Sequence, residues 1–265
     1  MARTNEFTAE AVNAALRQRG CPFHVRIVDT VPSTNTALRA EAEQGASDGE
    51  VLVARSQTAG RGRLGRSFHS PDGTGLYFSL LLRPNFDLSM AGYLTPAAAV
   101  AVARALEASD SPEMKIKWVN DIYTGGKKVC GILTEAAVDN EAHRFRYAII
   151  GIGINLSVPE SGFPEDIHDV AGAAFEAEPD RTKLLADILV ALHTLCQALP
   201  AHDFMGEYCS RSCLVGREAT VTVGDESFSG IVQTIDEDGG LVLADGKGMT
   251  RTFRSGTIRV KGEPA

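Results

Sequence analysis

Arginines 61, 63 and 66 alternate with glycines 60, 62 and 65 in the run QTAGRGRLGRSFHSPDGTG. Glycine permits close backbone approach, so several amides can converge on one ligand. Guanidinium forks suit phosphate or carboxylate oxygens. Such a stretch is built for an anion. Further on, Lys117-Trp118-Val119-Asn120-Asp121 sets an amide and a carboxylate at a strand end. There Asp121 could hold the magnesium ion that nucleotide chemistry generally needs. Lys127 or Lys128 adds a point charge on a flexible stem, able to stabilise a phosphate or a ligand carboxylate. Asn155, after Gly151 and Gly153, could pair with a base edge in the way an amide reads adenine. Ser33, Thr34 and Asn35 either cap a helix or line a pocket.

Together these residues favour a phosphate-bearing ligand and charge stabilisation, without an evident nucleophile. No G-x-S-x-G elbow is present, nor a histidine cluster or paired carboxylates for hydrolysis. Nucleotidyl transfer fits, because positioning and electrostatics do most of its catalysis. Gly60, Gly62 and Gly65 do match G-x-G-x-x-G, but Ser70, Pro71, Asp72 and Gly73 forbid the long helix a dinucleotide fold needs, and Asp87 sits in a turn. The Walker pattern is absent.

The glycine-arginine loop must be carried by its flanks, the apolar runs Val51 to Ala54 and Leu76 to Leu82, which read as buried strands. About twenty residues without helical or alternating period lie between them, an uncommon length for an idle loop. Residues 8 to 19 predict a short amphipathic helix closed by Gly20. His24 to Val28 predicts a strand, and TALRAEAEQ a helix capped by Ser33, Thr34 or Asn35. A long alanine-rich helix is expected over 89 to 108, beginning near Ala91, with Pro96 in its first turn. Lys115 to Val119 reads as a strand, and Val129 to Val138 with Phe145 to Ile152 as a strand pair joined by DNEAH. The run SVPESGFPEDIHDVAG is a polar excursion with little period. Residues 183 to 198 are a clear helix with His193 beside its apolar stripe, and 202 to 213 a shorter one. From Val215, short strand-like pieces separated by GD, DEDGG, DGKG and SG turns predict a small all-β barrel. The boundary falls near 213 to 216, giving domains 1–214 and 215–265. Neighbouring strands in the larger part look antiparallel, so its class is α+β.

A chain of 265 residues can bury a sizeable core. Its net charge of -8 disfavours a general nucleic-acid coat. The five cysteines match no zinc spacing; Cys209 and Cys213 could share a helix face but have no second pair. A reducing, cytoplasmic setting is the simpler account. No signal peptide and no membrane span can be read. One N-terminal helix leaves no room for a winged-helix DNA-binding domain.

The run 57 to 82, with STN at 33 to 35, KWVND at 117 to 121, GKKVCGILTE at 126 to 135 and GIGIN at 151 to 155, resembles the catalytic domain of biotin protein ligases. The last fifty residues resemble their C-terminal domain. The likeness spans nearly the whole chain, and the motifs are specific in this order rather than singly.

The resemblance implies an α+β catalytic domain of the class II aminoacyl-tRNA-synthetase-like, biotinyl/lipoyl ligase kind, followed by a small SH3-like β-barrel. It implies a two-step reaction with ATP, biotin and Mg2+: biotinyl-5'-AMP forms, and a lysine of a biotin carboxyl carrier domain then takes the acyl group. On that likeness Ser33, Thr34, Asn35, Gln57 and Gly60 line the biotin pocket. Arg61, Arg63 and Arg66 hold phosphates and order the loop. Lys128 meets the biotin carboxylate and the transferring phosphoryl group, Asp121 helps place magnesium, Asn155 contacts adenine, and Gly131 lets the ligand approach its strand. Phe68, Trp118 and Asn120 complete the ligand-binding set, with Lys128, Arg63 and Asp121 as the catalytic residues. The chain departs from the family pattern at Val119, usually proline, and at Phe68, usually tryptophan. It matches the ligase and not the repressor of the bifunctional members, so no DNA and no membrane partner is expected; a homodimer is possible. The rival readings are a lipoate protein ligase and a non-enzymatic RNA-binding module. The second needs aromatics among basic residues, whereas the tail offers only Phe228 and Phe253.

Overall fold

A computed structural model describes residues 7–263. Thr8 accepts a hydrogen bond from Ala11 N and starts α1 (Ala9–Gln18), which buries Val12 and Leu16. Strands β1 (His24–Val31) and β2 (Glu50–Gln57) run parallel, against the expectation of antiparallel neighbours for this pair. Parallel strands need a crossover, and α2 (Thr34–Glu43) supplies it. Then come β3 (Gly75–Leu82), α3 (Leu94–Glu107), β4 (Lys115–Lys117), β5 (Asp121–Thr124), β6 (Lys127–Asp139) and β7 (Arg144–Asn155). The remaining pairings are antiparallel, in the order β1-β2-β3-β7-β6-β5-β4. The β6–β7 hairpin is the pair expected around DNEAH.

Two boundaries differ from expectation. A 3-10 turn over Leu88–Tyr93 precedes α3, which therefore begins at Leu94. Pairing on β4 stops at Lys117, so Trp118, Val119 and Asn120 form the turn into β5, and the Trp118–Val119 peptide is cis.

The two faces of the sheet have different tasks. Val51 and Val53, then Leu76, Phe78 and Leu80, then Ile150, Ile152 and Ile154 bury one face in the main core. On that face lie α1, α3 and α4 (Arg181–Gln197). Alternate residues point the other way. Leu52, Leu81, Tyr147 and Ile149 pack there under Leu38 and Ala42 of α2. Arg83 ties down the far end of α2 by donating to Ala42 O at 2.8 Å and, just past the helix, to Ala46 O at 2.9 Å, adding a cation where the helix carbonyls point. Beyond α2 the same face is stripped of large side chains, and there the site forms.

Helix α5 (Met205–Ser210) includes Cys209 but not Cys213, so the two thiols do not share a helix face as expected. Both are free, and no cluster of three or more His, Cys, Asp or Glu side chains that could hold a metal ion occurs among the described residues. The predicted C-terminal strands form as β8 (Glu218–Val223), β9 (Glu226–Ile235), β10 (Leu241–Ala244), β11 (Thr250–Phe253) and β12 (Thr257–Val260). They make an antiparallel sheet in the order β11-β10-β9-β8-β12. Its β9–β10 turn docks on the first unit, where Trp118 Nε1 donates to Gly239 O at 2.9 Å and Tyr93 Oη to Asp238 Oδ1 at 2.9 Å. No helix among the described residues is long and apolar enough to cross a membrane.

Candidate active site

Register places one row of residues across five strands. Tyr77 faces Gly153, Gly153 faces Gly131, Gly131 faces Asp121, and Asp121 faces Lys117. Directly opposed residues share a face. The row therefore runs from Tyr77, buried beside the Phe68 ring, over a pair of glycines to a carboxylate. The next row sets Ser79 opposite Gly151 and Gly151 opposite Leu133. Above this floor lies a cavity of about 710 Å³, ample for a nucleotide-sized ligand.

At one end stands the N-terminus of α2. Thr34 and Asn35 are buried there, and the Thr34 N–H donates to Gln57 Oε1 at 2.8 Å. Ser33 is the N-cap, its hydroxyl 3.5 Å from Thr36 N, so the cap and pocket readings hold together. The fully buried Ser79 hydroxyl lies 2.7 Å from Thr34 Oγ1 and 2.6 Å from Asn35 Oδ1. It has one proton, and Asn35 Oδ1 can only accept, so Ser79 donates to Asn35, while the single Thr34 proton has Ser79 Oγ at 2.7 Å and Gln57 Oε1 at 3.2 Å as acceptors. Gln57 Nε2 then donates to Ser70 Oγ at 2.9 Å, which donates to Phe68 O at 3.0 Å. The side-chain amides of Asn35 and Gln57 in this chain of bonds thus have a fixed orientation.

The glycine-arginine loop is a folded strap rather than a structureless one. Gln57 N donates to Ser70 O, Phe68 N to Gly60 O, and Gly62 N to Arg66 O. A Cβ at Gly60 would stand 2.3 Å from Phe68 O, so only glycine lets the limbs close. The strap lays the Phe68 ring on the glycine floor. Cβ atoms added at Gly153 and Gly131 would fall 2.6 and 3.2 Å from it.

The arginines go to different places. Arg61 forms a forked pair with Glu135, both contacts at 3.0 Å. Arg63 Nη1 donates to Asn120 Oδ1 at 3.1 Å, and burial draws Arg63 below its ordinary value while the Asp121 carboxylate pulls it back up. Arg66 lines the cavity and makes no ion pair among the described residues. Lys128 Nζ lies 2.7 Å from Asp121 Oδ1, which also accepts from Asn120 Nδ2 at 3.1 Å. Asn155 lines the cavity while its amide N–H holds Gly172 O at 3.1 Å. Trp118 contributes to the wall, but its indole N–H is spent on Gly239. Burial pushes the Cys130 thiol beneath Lys128 well up, so it stays protonated and is no nucleophile. Burial likewise pushes the Tyr77 phenol up to about 12.

Some of the wall was not expected. The polar excursion folds over the cavity with Phe163, Pro164, Ile167 and Val170 as lining residues. Phe163, Ile167 and Val170 recur at four and three, the period that could have marked them. The excursion clamps Lys128 by its own backbone, since Lys128 N donates to Val170 O and Gly172 N to Lys128 O. Thr257, Ile258 and Arg259 of the C-terminal sheet also reach the cavity, and no sequence signal announces them.

The profile of the Biotin/lipoate A/B protein ligase family matches residues 27–155, and that of the Biotin protein ligase C terminal domain residues 214–260. The biotin--[acetyl-CoA-carboxylase] ligase of Mycobacterium tuberculosis is 31% identical over 88% of this chain and 87% of its own length. The chain belongs to the biotin protein ligase family. The bifunctional ligase/repressor BirA of Bacillus spizizenii is 34% identical over 87% of this chain and 72% of its own. Among solved structures, the Aquifex aeolicus biotin protein ligase in complex with biotin and ATP superposes with a TM-score of 0.74. It is 30% identical, covering 89% of this chain and 99% of that one. Membership in this family agrees with a cavity that holds both a cationic end and a neutral polar end.

Proposed function

We propose that this protein joins biotin to ATP as biotinyl-5'-AMP and passes the biotinyl group to a lysine of a biotin carboxyl carrier domain. One observation carries the reading: Lys128, Arg63 and Asp121 gather at one end of a glycine-floored cavity whose other end is the oriented Thr34–Gln57 pocket.

In the first step a biotin carboxylate oxygen attacks the α-phosphorus of ATP, and the bond to pyrophosphate breaks. Two anions are forced together, so cations must offset the repulsion as charge develops. Lys128 and Arg63 are placed to do this, and Arg66 stands uncommitted nearby for the leaving phosphates. Ser33, Thr34 and Gln57 present hydroxyl and amide groups to the neutral ring system of biotin, and the Phe68 ring, seated on Gly131 and Gly153, packs against the edge of the ligand. Asn155 is the reader of adenine. In the second step the carrier amine attacks the acyl carbon, AMP leaves, and an amide remains.

Asp121 with the adjacent phosphates suits Mg2+, which commonly takes one or two carboxylates and completes its shell with phosphate and water. Bound there, the ion would neutralise phosphate charge. A cytosolic setting is supported by five cysteines that are all free.

The test is biotin-dependent exchange of labelled pyrophosphate into ATP, with lipoate and octanoate in parallel. Exchange with biotin alone is expected. Exchange with lipoate instead would reassign the acid, and none with any acid would overturn acyl-adenylate chemistry.

A further inference from the structure

Glu135 gathers two parts of the site on one carboxylate. Arg61 donates to both of its oxygens at 3.0 Å, and Asn35 Nδ2 donates to Oε2 at 3.0 Å. Arg39 Nη1 approaches to 4.0 Å. Glu135 itself stands on β6 past Leu133 and does not line the cavity. It therefore acts on the ligand only through others.

We propose that Glu135 is a positioning residue that latches the strap over the bound acyl adenylate. The inference rests on the ligase reading and adds to it a residue that never touches the ligand. At its base the strap is tied by backbone, with Thr58 N on Val31 O and Ala59 N on Pro32 O. Beyond that base, two side-chain ties hold its arginines among the described residues: Arg63 to Asn120 in the β4–β5 turn and Arg61 to Glu135 on β6. The Arg63 tie sits at the reacting end, where nucleotide phosphates compete for the guanidinium. The Arg61 tie is forked and ends on Glu135, which does not line the cavity, so the ligand meets the guanidinium but not the carboxylate that holds it. Because Asn35 shares the carboxylate and is oriented by Ser79, strap closure and the pocket wall have one anchor. Loss of that anchor should loosen the lid without changing the groups that meet the reacting atoms.

The experiment forms labelled adenylate on the enzyme from biotin and ATP and follows its release after a chase with excess unlabelled biotin. Glu135→Gln keeps an acceptor for Asn35 but drops the charge that holds Arg61. Release should quicken roughly tenfold and the KM for biotin should rise, while kcat for adenylation stays within about twofold. Arg61→Gln should quicken release equally, the double variant should add nothing further, and Glu135→Asp should restore part of the hold. Unchanged release in Glu135→Gln, additive effects in the double variant, or a kcat that falls in step with release would each overturn the latch. If wild-type protein forms no adenylate from biotin, that failure belongs to the ligase reading. The latch is then decided by limited proteolysis of residues 58–70: faster cleavage in Glu135→Gln supports it and equal cleavage overturns it.

Discussion

Lys128 and Asp121 stand 2.7 Å apart at the head of the cavity, on neighbouring strands. The pair leaves open whether the lysine serves the ligand or only neutralises the carboxylate, and a double substitution separates the two. Lys128→Ala should leave the fold intact, because the side chain is part-exposed, yet lower adenylate formation at least ~100-fold, the scale of a lost electrostatic donor. Adding Asp121→Asn removes the unpaired carboxylate. Activity should then fall below that of Asp121→Asn alone, since the missing charge is needed on the phosphate; a double variant equal to Asp121→Asn in the exchange assay would assign Lys128 to neutralising Asp121.

The glycine floor makes a second, graded prediction. A methyl at Gly153 would lie 2.6 Å from the Phe68 ring, whereas one at Gly131 would lie 3.2 Å away. The first forces the ring off the floor, and the second needs a shift of a few tenths of an ångström. Gly153→Ala should therefore raise the KM for biotin about tenfold or more and Gly131→Ala less, the cost of misplaced contacts exceeding that of slight crowding. Equal effects would show that the ring is not seated on Gly153.

What the sequence disclosed here follows from the range of the forces involved. The strap was legible because Gly60 to Arg66 carry their chemistry in composition, and β8 to β12 because each is bounded by its own glycine turn. The parallel β1–β2 pair was not, since alternation fixes which face a residue takes but not the direction of the partner strand. Glu135 was invisible as an anchor because its contacts join positions 100 residues apart for Asn35 and 74 for Arg61. The Tyr77–Gly153–Gly131–Asp121 row is a fact of register and exists only once the strands have paired. Phe163, Ile167 and Val170 carried a weak helical period that the surrounding prolines and acids obscured.

The turn bearing Asn120 and Asp121 is held from below by α5. The Tyr208 hydroxyl donates to Val119 O at 3.0 Å, and Tyr208 is almost wholly buried. Tyr208→Phe keeps the ring and removes this bond, leaving the carbonyl with one partner fewer. Stability should fall by about 1–3 kcal/mol, read from urea unfolding. Adenylation should fall as well, because Asn120 follows the freed carbonyl directly. A stability loss with full activity would show that the Asn120 turn is held by Trp118 on Gly239 instead.

Arg211 supplies the pH prediction. It donates to Glu107 at 2.6 and 2.9 Å and to Glu207 at 2.9 Å, knitting α3 to α5. Hydrogen bonds from Arg211 hold Glu107 below its ordinary value. For Glu207 burial pushes upward, and bonds from Arg104 and Arg211 outweigh it. A carboxylate whose value is lowered on folding binds its proton more readily in the unfolded chain. Its stabilisation is therefore complete above the unfolded value, about 4.3, and fades as pH drops through the lowered folded one. Glu107→Gln should cost about 1.5–3 kcal/mol near neutrality, the range for a hydrogen bond to a charged group. The gap between variant and wild type should then close on acidification below about pH 4. Urea midpoints measured on both proteins from neutral to acid pH decide it, and a gap that stays constant would show that the Arg211 pair adds no pH-dependent stability.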